Sequence, residues 1–181
     1  IALLPALVAS VIVFGFQALV LTLISVVSCV FWEWAYRKLM KKSCSVADCS
    51  AVVTGMLLAF VCPVSLPWWA IVIGAFFSIV VVKQLYGGIG CNFLNPALAG
   101  RAVLVASYAG AMTTWVTPAE KIAVFGSAAD VATGATPLAL MKDGAFDQMP
   151  EIMDMFLGFI GGSLGETSAL ALLIGFAWLL L

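Results

Sequence analysis

The sequence predicts an all-α protein, a polytopic bundle of transmembrane helices. Hydrophobic residues make up 64% of the 181 residues, charged residues make up 9%, and the mean hydropathy is +1.18. Soluble domains carry about a quarter of charged residues, so water is not the main solvent here. The apolar residues form successive runs rather than one amphipathic core. We expect a single transmembrane domain, residues 1–181, cut from a longer chain, because it starts without methionine and ends inside an apolar run.

Charge and composition exclude several classes of function. The net charge is −1 and histidine is absent, which removes imidazole haem ligation, histidine zinc sites and histidine general bases. The chain is not basic enough to bind nucleic acid. The five cysteines contain no C-x-x-C pair, so we predict buried thiols and no metal site within this chain alone. The alternative that one cysteine is an iron–sulfur ligand shared with a neighbouring subunit stays open. We predict no catalytic acid or base in this chain.

The N-terminal apolar run is too long for one helix. No charge occurs before Glu33, and a helix of that length would measure about 48 Å against a hydrocarbon core of about 30 Å. We predict a break around Gly15, with one helix over 1–13 and a full span over 17–36. We therefore expect a broken helix near the N-terminus of the chain.

A basic cluster after the second segment sets the predicted orientation. Trp32, Trp34 and Tyr36 form an interfacial belt, and the following run 37–42 contains four basic residues, which places it on the cytoplasmic side. The remaining segments then follow in order: outward 49–61, an outer turn, inward 68–82, an inner glycine-rich segment 86–96, outward 97–111, an outer loop 112–150, a half-helix 151–160 and a last helix. Ser163 and Glu166 have capping-box spacing, so we expect the last helix to start there.

Two glycine-rich segments resemble each other. Gly87-Gly88-Ile89-Gly90 lies on the inner side of this topology, and Gly161-Gly162-Ser163-Leu164-Gly165 lies on the outer side. Such a pair is typical of an inverted repeat with broken, re-entrant helices, as in channels and secondary transporters. Chance recurrence of glycine-rich breaks in an apolar protein explains the pair equally well.

The outer loop contains the run Asp130-Val131-Ala132-Thr133-Gly134-Ala135-Thr136-Pro137. Gly134 permits a tight turn and Pro137 stops regular pairing, which leaves the Thr136 hydroxyl in an exposed bend, available for modification. An ordinary turn started by Asp130, in which Thr133 and Thr136 make local hydrogen bonds, is an equal alternative on these residues alone.

This run resembles the flavinylation motif, in which a flavin transferase attaches FMN through its phosphate to the last threonine. Three more segments, 48–55, 83–98 and 161–171, extend the likeness over most of the chain. Together they resemble the family of the D subunit of the Rnf complex, an ion-translocating ferredoxin:NAD oxidoreductase, and the B subunit of the sodium-translocating NADH:quinone reductase. The ending Gly165-Glu166-Thr167-Ser168 favours the Rnf member.

The resemblance implies two flavin cofactors. A covalent FMN would be linked by a phosphoester to Thr136, with Asp130, Thr133, Gly134 and Ala135 forming the motif around it. A noncovalent riboflavin would lie nearer the cytoplasmic side, with Asn92, Asn95 and Thr54 as its candidate residues. Alternatively, the two asparagines only cap or brace a re-entrant turn before Pro96.

Glu33 and Arg101 are the charges nearest the membrane interior. Charge inside a membrane is costly and often functional, but near a helix end both side chains can reach the inner interface, which is the interpretation we favour. In quinone-reducing members of the family two glycines precede the segment matching Phe31-Trp32-Glu33. Here Cys29 and Val30 stand in their place, which argues against a quinone site.

The resemblance implies a membrane electron carrier in a redox translocase, passing electrons from FMN on Thr136 to an inner flavin. Its partners would be other membrane and soluble subunits, a flavin transferase and membrane lipid. The protein would lie in a bacterial or archaeal cytoplasmic membrane, with the Thr136 loop outside the cytoplasm. The alternatives are the B subunit of a sodium-translocating NADH:quinone reductase, a channel or secondary transporter, and a purely structural subunit.

Overall fold

The computed structural model describes residues 1–43, 45–116, 136–145, 147 and 149–180. Its helices are Leu4–Phe14 (α1), Phe16–Leu39 (α2), Ser50–Phe60 (α3), Trp68–Phe76 (α4), Pro96–Ser107 (α5), Ala109–Met112 (α6), Pro137–Lys142 (α7), Ile152–Leu157 (α8) and Ala169–Leu180 (α9), together with a 3₁₀ turn at Val46–Asp48 and a π-helix at Phe77–Gln84. These described residues contain no β-strand, which confirms the all-α class.

The predicted break between the first two helices is confirmed. Gly15 separates α1 from α2 with φ of +78°, a conformation that suits glycine. The 24 residues of α2 make it the one helix, within the described part of the chain, that is long and apolar enough to cross a membrane. The other apolar helices have 10–17 residues. The number of spans and the orientation of the loops therefore stay predictions.

The chain divides into two compact units. The first consists of residues 1–19, 63–65 and 113–181, and the second of residues 20–62 and 66–112. In the first unit α1 packs against α9. Gly175 of α9 allows a close approach of the chain just before α1, since a Cβ atom there would clash with the Ala2 carbonyl oxygen. An apolar groove of about 730 Å³ lies beside this contact, lined mainly by α1 and α9.

The last helix does not begin at the predicted capping box. Ser163 Oγ donates to Glu166 Oε2 over 2.8 Å, so the two side chains bond each other rather than the backbone of a new helix. The helix begins at Ala169, where Ser168 Oγ accepts from the Ala171 amide over 3.3 Å. The prediction was wrong because the spacing of a capping box does not distinguish a side-chain pair in a turn from a true cap.

Small residues bring the helices of the second unit together. A Cβ atom on Gly55 of α3 would lie 2.7 Å from Val26 Cα of α2, and Ser25 Oγ donates to the Gly55 carbonyl oxygen over 2.7 Å. Gly100 of α5 faces Ser78 in the same way. Small residues at such contacts are typical of helix packing in membranes, where van der Waals contact drives association.

The helix that begins as α4 continues as the π-helix Phe77–Gln84. Most of its buried residues recur about every four positions, at Ala70, Ile71, Gly74, Ala75, Ser78, Ile79, Val82 and Lys83, and Gln84 at its end is buried as well. An α-helix has 3.6 residues per turn, so a stripe of this spacing would rotate away from the partner helices. A π-helix, with i→i+5 bonds, holds more residues per turn and rotates the stripe back. The π segment therefore keeps Val82 and Lys83 on the buried face.

The contact of α5 with the π-helix gives a test of this packing. A Cβ atom at Gly100 would clash with Ser78 Oγ and stand 2.8 Å from the Gly74 carbonyl oxygen. Gly100→Ala should therefore lower the free energy of unfolding by about 1–3 kcal/mol, measured by thermal unfolding of the full-length protein in detergent. Adding Ser78→Ala should recover part of the loss. The Ser78 hydroxyl is buried without a hydrogen-bond partner among the described residues, so its removal alone costs little. Equal melting temperatures for wild type and Gly100→Ala would contradict the packing.

Candidate functional site

A buried carboxylate forms the centre of the second unit. Glu33 in α2 is 0% exposed. Its Oε2 accepts from Lys83 Nζ over 3.0 Å, and its Oε1 accepts from Ser45 Oγ over 2.6 Å and from Gln84 Nε2 over 2.8 Å. Three donors therefore stabilise one carboxylate, which is how a buried charge is tolerated in a medium of low dielectric constant.

The hydrogen bonds continue from Glu33 to the surface. Lys83 Nζ also donates to Ser50 Oγ, and Ser50 Oγ donates to Asp48 Oδ1 over 2.6 Å. Asp48 is exposed and ends the 3₁₀ turn that precedes α3. The Ser50 hydroxyl and amide lower the pKa of its carboxyl group, because both stabilise the charged form.

Arg37 completes this group one helical turn after Glu33. Its Nε lies 3.8 Å from Glu33 Oε1, and its Nη1 donates to the Ser43 carbonyl oxygen over 2.7 Å. We name the group the inner polar cluster, and its members are Glu33, Arg37, Ser45, Asp48, Ser50, Lys83 and Gln84. Two carboxylates and two cations cancel, so the cluster is neutral as a whole.

The expectation that Glu33 reaches the inner interface was wrong. The side chain turns inward and meets a cation from another helix, because the π-helix places Lys83 on its buried face. Lys83 had no individual role in the sequence prediction, in which it only begins the segment 83–98. The four-residue spacing of small and buried residues from Ala70 onward was the signal that could have found the pair.

The glycine-rich turn after the π-helix folds back over the end of that helix. Oriented to satisfy its hydrogen bonds, the Asn92 amide nitrogen donates to the carbonyl oxygens of Gly88, Lys83 and Val82 over 3.0, 3.2 and 3.2 Å. Asn95 Oδ1 accepts from the Ala97 amide over 3.0 Å and caps α5. Both asparagines therefore have the bracing and capping role that the sequence left open. A contact of either residue with a flavin stays a prediction.

The same turn exposes aromatic rings. Tyr86 and Phe93 are 51% and 65% exposed, and their ring centroids lie 4.8 Å apart in an edge-to-face arrangement. Large exposed rings beside polar backbone groups offer the kind of surface on which a planar ring system can stack. The third candidate, Thr54, lies in α3 and its Oγ1 donates to the Ser50 carbonyl oxygen over 2.9 Å. Thr54 therefore already has a local partner.

The modification site predicted in the outer loop is described only at its end. Thr136 is half-buried and lies directly before α7, where its Oγ1 accepts from the Ala139 amide over 3.3 Å. Its hydroxyl hydrogen has no acceptor among the described residues. The other motif residues, Asp130, Thr133, Gly134 and Ala135, lie outside the described residues.

The cysteines divide between interior and surface. Cys29 and Cys62 are buried, whereas Cys49 and Cys91 are exposed, and none of these four is in a disulfide bond. The prediction of buried thiols is therefore confirmed for two of them and wrong for the other two. Cys44 lies outside the described residues. In the described part of the chain no three histidine, cysteine or acidic side chains gather in a way that could hold a metal ion.

Comparison with known proteins gives a match over the whole chain. The model of the NQR2, RnfD, RnfE family matches residues 1–181. The chain is 50% identical over 182 residues to the D subunit of the Na(+)-translocating ferredoxin:NAD(+) oxidoreductase complex of Acetobacterium woodii, covering 99% of this chain and 55% of that protein. It is 36% identical over 187 residues to the D subunit of a proton-translocating ferredoxin:NAD(+) oxidoreductase complex from Clostridium ljungdahlii, with the same two coverages of 99% and 55%.

Quinone-reducing relatives match over a shorter part. The B subunit of the Na(+)-translocating NADH-quinone reductase of Chromohalobacter salexigens is 40% identical over 157 residues, which cover 83% of this chain and 35% of that protein. The chain spans about half the length of the ferredoxin:NAD(+) oxidoreductase relatives, 55% in the first two. A family match from the first residue to the last, with 50% identity to one relative, leads to one conclusion: the chain belongs to the NQR2, RnfD, RnfE family.

Proposed function

We propose that the chain belongs to the D subunit of an ion-translocating ferredoxin:NAD oxidoreductase, in which it acts as a membrane electron carrier. The observation that carries the proposal is the 50% identity, over 99% of the chain, to a protein named as that subunit. The quinone reductase relative from Chromohalobacter salexigens is 40% identical over 83% of the chain. Because of that identity, the second candidate is the B subunit of a sodium-translocating NADH:quinone reductase.

The first cofactor of the proposal is FMN, linked by a phosphoester to Thr136. The residue fits this role because its hydroxyl hydrogen is unengaged among the described residues and its side chain is half-buried rather than enclosed. The cap on α7 uses an oxygen lone pair, so the same oxygen can carry a substituent while it stays beside the helix. The flavin would supply the electron-carrying ring system.

The second cofactor is a noncovalent riboflavin at the glycine-rich turn. Asn92 holds this turn against the last carbonyl groups of the π-helix, and the exposed rings of Tyr86 and Phe93 lie on it. The inner polar cluster fixes the helix just before the turn through Lys83 and Gln84. These residues would orient a planar ligand and limit its contact with water.

The location and partners follow from the same proposal. The protein would lie in a bacterial or archaeal cytoplasmic membrane, with Thr136 on the extracytoplasmic side and the inner polar cluster near the cytoplasmic side. A flavin transferase would modify Thr136, and other subunits of the redox complex would deliver and accept electrons. The number of spans in the full-length protein belongs to the proposal as well.

The proposal is tested by mapping flavin on the full-length protein after co-expression with a flavin transferase. In-gel ultraviolet fluorescence of the denatured wild-type protein should be positive. The peptide that contains Thr136 should gain the mass of one FMN less one water. Thr113→Ala is the matched control, since it removes an exposed threonine hydroxyl of the same predicted outer loop outside the motif, and it should keep the flavin on Thr136. Absence of flavin on wild-type protein would refute the carrier and favour a transporter or a structural subunit.

A further inference from the structure

The end of α2 combines basic, aromatic and aliphatic side chains in a short stretch. Leu39, Met40 and Trp34 are 79%, 50% and 45% exposed. Exposed lysines alternate with them along the chain. We name this surface the α2 basic end, and its residues are Trp34, Tyr36, Lys38, Leu39, Met40, Lys41 and Lys42. It directly follows the apolar length of α2, the helix that meets the requirements of a membrane span.

The backbone there forms a Schellman turn with a lysine at its left-handed position. The Lys42 amide donates to the Arg37 carbonyl oxygen over 2.9 Å, and the Lys41 amide donates to that of Lys38 over 3.3 Å. Lys41 has φ of +52°, a conformation in which glycine is the usual residue and which strains an L residue. Lys41 thus carries a charged side chain at a backbone position that favours glycine, which has no side chain.

Two of the three lysines, Lys38 and Lys42, have aromatic neighbours, and none of the three has a counter-charge within the described part of the chain. Lys38 Nζ lies 4.7 Å from the Trp34 ring centroid, and Lys42 Nζ lies 5.5 Å from that of Tyr36. Over the described part of the chain, no carboxylate lies within salt-bridge distance of these lysines. The nearest acids along the chain are already engaged within the inner polar cluster. An ammonium group has three N–H donors, so a lysine beside a ring can still donate to an anion.

We propose that the α2 basic end binds the phosphate groups of anionic phospholipids in the leaflet that it faces. Indole and phenol rings lie at headgroup level in membranes. Leu39 and Met40 would enter the boundary of the acyl chains, as the apolar face of an interfacial segment does. Lys38, Lys41 and Lys42 would then donate to headgroup phosphates. The exposed aliphatic residues between the lysines favour a lipid over an acidic protein surface, which would leave them without an apolar partner.

The test compares lipid retention by native mass spectrometry of the full-length protein in mild detergent. Phosphatidylglycerol and phosphatidylcholine are titrated separately, and wild type should retain phosphatidylglycerol more tightly. Lys41→Gly is the central variant, because it removes a charge and relieves the left-handed backbone in one change. It should weaken phosphatidylglycerol binding about fivefold while the melting temperature does not fall. Lys38→Gln and Lys42→Gln added to it should abolish the preference for phosphatidylglycerol.

The matched control is Lys142→Gln, which removes the same charge from an exposed residue in the last turn of α7. It should leave both affinities unchanged. The proposal is overturned if the triple variant keeps the wild-type preference for phosphatidylglycerol. It is equally overturned if Lys142→Gln reduces that preference as much, which would indicate bulk charge. Loss of association with soluble partner subunits, with lipid retention unchanged, would assign the surface to a protein interface instead.

Discussion

Thr136→Asn should remove all covalently bound flavin from the full-length protein and reduce ferredoxin:NAD oxidoreductase activity of the complex to background. Asparagine has no hydroxyl group to esterify. It is nevertheless as good an N-cap as threonine, so the bond that Thr136 Oγ1 accepts from Ala139 has a substitute. The loss of flavin and activity would therefore come from the missing hydroxyl group and not from unfolding of α7. In-gel fluorescence and electron transfer in membranes measure the two effects.

Thr136→Ser is the control for this change. Serine keeps both a hydroxyl group and the capping oxygen, so covalent flavin should be retained and activity should stay above background. Fluorescence that persists in Thr136→Asn would place the phosphoester on another residue. Loss of activity in Thr136→Asn with flavin still attached would instead indicate damage to the loop.

Lys83→Met should cost about 3–5 kcal/mol of unfolding free energy, because it removes the cation nearest to the buried Glu33 carboxylate and leaves only Arg37, 3.8 Å away. Methionine retains much of the volume of the lysine stem, so the loss reports charge rather than a cavity. Ser45 and Gln84 still donate to Glu33, but neutral donors offset a buried charge only partly. Thermal and denaturant unfolding of the full-length protein in detergent give the measurement.

The double variant Glu33→Gln/Lys83→Met separates pairing from general damage. A neutral amide at residue 33 needs no counter-charge, so the double variant should recover most of the stability lost by Lys83→Met. Glu33→Gln alone should be destabilising, since it leaves the Lys83 ammonium unpaired. If the losses of the two single variants simply added in the double variant, the ion pair would not be what stabilises this part of the chain.

Much of the helical framework was predictable from sequence. The break at Gly15 and the approximate positions of α2, α3 and α5 followed from apolar runs that are interrupted by glycine, proline and charged residues, which are local features. The segment predicted over 68–82 instead divides into α4 and the π-helix. The start of α9 was not predictable in this way, because Ser163 and Glu166 satisfy each other in a turn. Spacing along the chain does not show which hydrogen-bond partner a side chain has in the folded protein.

The inner polar cluster was less predictable for a related reason. Glu33 was visible as a charge beside an apolar run, but its partners come from residues 45 to 84 and meet only after folding. The π-helix that directs Lys83 inward is not marked by any one residue type, and its sequence signal is the four-residue spacing of the small residues Ala70, Gly74 and Ser78. Asn92 and Asn95 were found by sequence as polar residues in a glycine-rich turn, and the structure then supplied their capping bonds.

The neutrality of the inner polar cluster has an electrical consequence. Moving one elementary charge through 100 mV changes the energy by about 2.3 kcal/mol. Glu33 and Asp48 offset Arg37 and Lys83, so a displacement of the whole group along the field transfers no net charge. The membrane potential would then do no work on a joint displacement of this group, and a voltage-sensitive step would have to separate its charges or move a charge located elsewhere.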